Sequence, residues 1–119
     1  MEAKGFVYAL RHNPTGKIYV GCTRNVERRV NEHIKQLINN SHYIKAMQQD
    51  FDNYPFDYSY YVLFEAYAAY DAFMMEKHFM SLLGTRDPEK GYNYKDNSNE
   101  FSLDGFRKHK IQITATVEE

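Results

Sequence analysis

Asn13-Pro14-Thr15-Gly16 separates two short runs of β-forming residues, and it leaves the first part of this chain few ways to fold. Proline in the second place fixes φ and glycine in the fourth can take φ > 0, so the tetrad reads as a turn. Gly5 to Arg11 alternates and is rich in β-formers, and Lys17 to Cys22 supplies the return strand. With a loop of Asn13 to Gly16, His12 opposes Lys17, Leu10 opposes Tyr19 and Tyr8 opposes Gly21. Side chains repeat every two residues in a strand, so Tyr8 and Tyr19 share one face on a diagonal. Gly21 is expected to leave an open space opposite Tyr8, a small concave platform.

Beyond the hairpin the period changes. From about Asn25, Val26, Val30, Ile34 and Leu37 form an apolar helical stripe, with Thr23 or Asn25 as its cap. Asn39-Asn40-Ser41 breaks that helix, and Ile44, Met47 and Phe51 mark a second, shorter one. Phe56 to Phe64 is aromatic and β-branched, which predicts a central strand introduced by Pro55. Tyr67 to Leu83 is the strongest helix, with Gly84 as its C-cap. Gly91-Tyr92-Asn93 follows a proline-containing loop, and Lys95 to Glu100 is polar and linker-like. Ile111, Ile113, Ala115 and Val117 alternate, so the tail offers an additional strand. The expected architecture is α+β in the order β-β-α-α-β-α, with no internal repeats.

A chain of 119 residues suits one domain. A single cysteine, Cys22, excludes a disulfide framework and any multi-thiolate metal site. No stretch is long and apolar enough to span a bilayer, and no charged opening run precedes an apolar one, so an intracellular protein with no membrane partner is expected. The net charge of -1 hides an asymmetry. Met1 to Gln48 holds eight Lys and Arg against three acids, and Gln49 to Lys90 reverses this to three against eight. Such a division fits a polyanion held near a carboxylate metal site, and it also fits two ordinary solvated faces. A pI near 6.5 argues against a strong non-specific DNA binder.

Glu76 is the most informative single position. Ala69, Phe73, Glu76, Met80 and Leu83 follow helical spacing, which puts a carboxylate on the predicted core face. A buried carboxylate needs a partner or a metal; the structural alternative is a pair with a cation such as Arg29. Arg29 and His33 lie one helical turn apart and suit a phosphate, or else they belong to a solvated face with Arg24, Arg28 and Glu32. Tyr8 and Tyr19 read by default as half-buried strand aromatics; as general bases they need a lowered pKa or an outlet for their own proton. His42 reads most simply as a surface histidine, Asn93 as a turn residue and Cys22 as a small strand-end hydrophobe.

In combination these residues resemble the GIY-YIG nuclease domain, most closely that of the phage-type intron-encoded homing endonucleases. Phe6-Val7-Tyr8 stands where the family has Gly-Ile-Tyr, and Tyr19-Val20-Gly21 where it has Tyr-Ile-Gly. The run Cys22-Thr23-Arg24-Asn25-Val26-Glu27-Arg28-Arg29 resembles the following loop and helix start, with Arg29 at the essential arginine. His33 and His42 match histidines of the homing subgroup, Glu76 the metal-binding glutamate, and Gly91-Tyr92-Asn93 a closing Gly-Tyr-Asn. The first motif departs from the family, with Phe6 in the glycine's place.

The resemblance assigns residues 1–96 to the nuclease domain and leaves 97–119 as a tail or extra strand. It implies a three-stranded antiparallel sheet flanked by helices, with the site on the sheet surface. It also implies hydrolysis of a DNA phosphodiester with a single divalent cation, Mg²⁺ or Mn²⁺, bound by Glu76. Tyr8 or Tyr19 would be the general base and Arg29 the phosphate stabiliser. His33 and His42 would orient the phosphate or relay protons, and Asn93 would hold a loop or a site water. Gly21, Arg24, Arg28 and Lys45 are expected on the substrate side. A catalytically silent binding module and a repair-type structure-specific nuclease are the rivals, and the two histidines favour a homing or mobile-element enzyme. The residues after Asn93 are too few for another globular domain, so a targeting domain, a partner protein or a second subunit is expected to bring specificity. The expected location is the cytoplasm of a prokaryotic or viral host cell.

Overall fold

A computed structural model describes residues 3–93 and 109–110 of the chain. The elements are β1 (Gly5–His12), β2 (Ile18–Thr23), α1 (Val26–Ile38), α2 (Lys45–Asn53), β3 (Tyr58–Ala66), α3 (Ala69–Leu83) and β4 (His109–Lys110). Their sheet order is β2-β1-β3-β4. The antiparallel body of the sheet is the predicted three strands, with β1 in the middle. The short β4 adds two residues to the outer edge of β3, pairing Lys110 with Ser59 and His109 with Tyr60. The alternating segment from Ile111 onward, expected as a strand, lies outside the described residues.

The turn tetrad forms as its residues require. Gly16 has φ +77°, and the hairpin closes with His12 N–H donating to Lys17 O at 2.9 Å. Leu10 pairs with Tyr19 and Tyr8 with Gly21, as expected from the loop length. The predicted open space is absent: a Cβ on Gly21 would lie 2.8 Å from Tyr8 Oη and 2.9 Å from a Tyr19 ring carbon. The two phenol rings have moved into the room the glycine leaves.

β1 is buried on both faces because helices cover both. Tyr8 and Leu10 point to a core shared with Val26, Val30, Ile34 and Leu37 of α1 and Met47 and Phe51 of α2. Val7 and Ala9 point the other way, toward Ala72, Phe79 and Leu83 of α3. Asn25 caps α1 by accepting from Arg28 N–H, with Glu27 in the first turn and Lys35 in the last to suit the helix dipole. Gly84, at φ +69°, ends α3 in the left-handed conformation.

Two expectations shift. The strand placed at Phe56 to Phe64 begins at Tyr58, because Phe56 takes φ +64° in the turn after Pro55, and the strand pairs with β1 beside it. The buried stripe of α3 is Ala72, Phe79 and Leu83 with Glu76 between them, and Phe73, expected in the core, is 48% exposed.

Candidate active site

Tyr8 lies at the centre of a buried polar cluster between the sheet and α1. It is 1% exposed, and its oxygen sits 3.0 Å from His33 Nε2. His33 belongs to the buried face of α1, 0% exposed, which overturns the solvated-face alternative for this residue. Its Nδ1 lies 2.8 Å from His42 Nε2. His42, expected at the surface, is buried as well, because the chain between α1 and α2 folds back over His33 and holds His42 N–H on Gln48 Oε1 at 3.1 Å.

The proton positions of this chain follow from its donors and acceptors. Ile44 N–H donates to His42 Nδ1 at 3.0 Å, so that nitrogen carries no proton. Neutral His42 therefore bears its proton on Nε2 and donates it to His33 Nδ1. His33 in turn bears its proton on Nε2 and donates to Tyr8 Oη. Burial keeps both rings neutral, lowering His33 to about 3 and His42 to about 4, with the Arg29 charge adding to the effect. Every bond in the chain points toward the phenol oxygen. With its proton on Nε2, His33 cannot accept the Tyr8 proton at that nitrogen.

Burial raises the Tyr8 phenol above its ordinary value, and the Arg29 guanidinium opposes that rise. Tyr19 is raised for the same first reason, and its further neighbours Tyr8 and Tyr43 push it the same way. The two phenols share a face but not an environment. Only Tyr8 receives the histidine donor.

Arg29 lies at the rim. Its Nη1 donates to Glu32 Oε1 at 3.0 Å and its Nη2 to Tyr43 Oη at 3.1 Å, while Tyr43 Oη meets Tyr19 Oη at 3.3 Å. Tyr43 stacks on His42 with ring centroids 4.7 Å apart and 13° between planes. Tyr43 was missed in the sequence: it sits in a loop without period, and its place beside His42 was its single signal.

Glu76 approaches from the α3 side. It is half-buried and takes one hydrogen bond, from Cys22 Sγ at 3.6 Å. Among the described residues it forms no ion pair, and the suggested partner Arg29 pairs with Glu32 instead. Burial raises this carboxyl above its ordinary value, and it pushes the Cys22 thiol up to about 11. Cys22 is thus more than a strand-end hydrophobe; its thiol is the carboxylate's neighbour.

Asn93 fastens the edge of β2. Its Oδ1 accepts from Val20 N–H at 2.8 Å and its Nδ2 donates to Val20 O at 3.1 Å, so the side chain mimics a neighbouring strand. These contacts hold the Asn93 segment against the strand. Arg24 and Lys45 are exposed and, among the described residues, unpaired; Arg28 is exposed and pairs with Glu32. Together the fold gathers Tyr8, Tyr19, Arg29, His33 and His42 in one cluster. Glu76 enters from the opposite layer, and Asn93 supports the strand that carries Tyr19 and Gly21.

The GIY-YIG catalytic domain matches residues 4–93. No curated protein matches the chain. Among solved structures, the catalytic domain of the homing endonuclease I-TevI superposes with a TM-score of 0.69 at 23% identity, covering 78% of this chain and 100% of that one. A point mutant of the same catalytic domain gives 0.69 at 22% identity, covering 82% and 99%. At such identities the likeness speaks for the fold, while the family match extends over three-quarters of the chain and includes every residue of the cluster. With the two tyrosine strands, the Arg29 helix, Glu76 and the closing Asn93 in place, this chain belongs to the GIY-YIG family and carries its endonuclease domain.

Proposed function

We propose that residues 4–93 hydrolyse a DNA phosphodiester, in an enzyme of the homing or mobile-element type, with Tyr8 as the general base. The observation that carries this reading is the donor chain that ends on Tyr8 Oη. A phenolate there would be held by His33 Nε2–H and by the charge of Arg29. Because His33 Nε2 already donates, the phenol would pass its own proton to a non-bridging phosphate oxygen as it takes one from the attacking water, so that Tyr8 ends neutral. Arg29, released from its rim partners, would neutralise charge on the non-bridging oxygens. Arg24, Arg28 and Lys45 supply exposed positive charge for the flanking phosphates.

Glu76 fits a hard divalent cation, Mg²⁺ or Mn²⁺. It is a half-buried carboxylate that forms no ion pair among the described residues, where its hydrogen-bond donor is a weak thiol. The described residues hold no group of three or more His, Cys, Asp and Glu that could bind an ion, and water and phosphate oxygens would complete the shell beside Glu76. When bound, such an ion supplies positive charge to the departing 3′-oxygen. With a net charge of -1 the chain has little attraction of its own for DNA, and a targeting domain, partner protein or second subunit would bring it to its site. The cytoplasm of a prokaryotic or virus-infected cell is the compartment this reading implies.

The test is supercoiled plasmid incubated with the protein and Mg²⁺ or Mn²⁺, beside Glu76→Ala and Arg29→Ala. Conversion to nicked or linear DNA by the wild type alone is expected. Equal conversion by both variants would remove these residues from the site.

A further inference from the structure

Tyr43 stands out among the residues around the cluster because it is largely exposed and yet bonded to two of them. It is 56% exposed, while Tyr8 behind it is 1% exposed. Its oxygen joins Tyr19 to Arg29, and Arg29 continues the chain to Glu32. Both terminal nitrogens of the guanidinium are therefore engaged within the protein. Each terminal nitrogen keeps a second N–H, so a phosphodiester drawing Arg29 toward itself competes with these partners for the orientation of the guanidinium rather than for its last donors. Glu32 is an exposed carboxylate three residues along the same helix, so its contact is weak and screened by salt. Tyr43 is different in kind. Its ring is anchored by the stack on His42, so the oxygen stays in place when Arg29 leaves it.

We propose that Tyr43 is a third phenol of the active site, which holds Arg29 across the buried Tyr8 in the free protein and donates its own O–H to the DNA phosphate once Arg29 has turned to it. The proposal rests on the nuclease reading for its substrate, though not for the free-protein contact. Arg29 donates to Tyr43 Oη, so the phenol's hydrogen is directed away from Arg29, to Tyr19 or to an incoming oxygen. Tyr43 then serves two purposes: it positions the cation and supplies a neutral donor.

Two measurements on Tyr43→Phe test this, because that substitution keeps the stack on His42 and removes the oxygen alone. In the free protein, modification of Arg29 by phenylglyoxal, followed residue by residue by mass spectrometry, is expected to speed up at least threefold while Arg28 is unchanged. An unchanged Arg29 rate overturns the holding contact. In single-turnover cleavage, the rate at saturating DNA is expected to fall about tenfold with KM within twofold and the melting temperature unaltered. A wild-type rate, or a loss confined to KM, overturns the donor role. If the wild type does not cleave DNA at all, the nuclease reading fails on that result, and the modification rates still decide the contact between Tyr43 and Arg29.

Discussion

The backbone N–H of Ile44 orients the whole acid–base chain, since by donating to His42 Nδ1 it fixes the proton on each ring up to Tyr8. A tautomer set by a main-chain donor depends on the backbone that holds Ile44 N–H against the ring, which ties the direction of the chain to the fold. It also separates two tyrosines that the strand pattern left equivalent. Tyr8→Phe removes the acceptor of His33 Nε2–H, and a buried donor left unsatisfied costs about 1–3 kcal/mol. That variant is expected to lose cleavage by at least ~100-fold, the scale of a missing general base, together with measurable stability in urea. Tyr19→Phe gives up the bond to Tyr43 alone and is expected to keep more activity and its stability. The reverse order in paired rate and unfolding measurements would transfer the base to Tyr19. Gly21→Ala forces a methyl group to within 2.8 Å of Tyr8 Oη and must push that phenol off His33. Its expected signature is a large loss of rate with a modest loss of stability, about 1–2 kcal/mol by chemical denaturation.

Single elements show where local pattern suffices and where it does not. The hairpin and α1 follow from their own residues: a turn tetrad, a regular stripe and the Asn25 cap. The rotation of α3 does not, because its apolar residues lie almost all the way round. Tyr70, Phe73 and Met74 are apolar yet exposed, and only contact with Val7, Ala9 and Val20 selects Ala72, Phe79 and Leu83 as the inner face. The edge of β2 depends on residues far along the chain. Ile18 N–H donates to Lys90 O, Tyr92 N–H donates to Ile18 O, and Asn93 holds both main-chain groups of Val20. Gly91 allows that approach, since a Cβ there would sit 2.5 Å from Ile18 O and from Thr85 Cα, both backbone atoms. Gly91→Ala is expected to cost on the order of 3 kcal/mol in denaturant unfolding, well beyond Gly21→Ala, because backbone cannot yield as a phenol tip can. A near-neutral Gly91→Ala would show that the segment docks loosely.

At the scale of the whole molecule, the buried histidines tie stability to pH. His33 and His42 are held near 3 and 4 by burial, below their ordinary value of 6.5. The unfolded chain therefore binds more protons in that window, so their contribution is complete above about pH 6.5 and is lost as pH falls toward the folded values. Each ring contributes up to about 1.4 kcal/mol per pH unit there. Glu76, raised by burial, works in the opposite direction with a smaller share, being half exposed. Urea unfolding of the wild type at pH 6.5 and 4.5 is expected to show a clear loss of stability at the lower pH. A His33→Asn, His42→Asn double variant is expected to start less stable and lose less. Equal losses in both proteins would mean that the rings titrate freely.

By itself the sequence determined the β-β-α-α-β-α order, the hairpin register that pairs Tyr8 with Gly21, the Gly84 stop and the family. All of these depend on turn chemistry and periodicity, which act over a few neighbouring residues. Tertiary structure alone decided that His42 is buried, that Tyr43 joins Arg29, that Cys22 meets Glu76 and that the phenols fill the space at Gly21. Most of those contacts join residues far apart in the chain, His33 to His42 across 9 positions, Tyr8 to His33 across 25 and Cys22 to Glu76 across 54. No local period encodes such a meeting. It arises when two layers of helix close on one sheet and each buried polar atom must find its partner there.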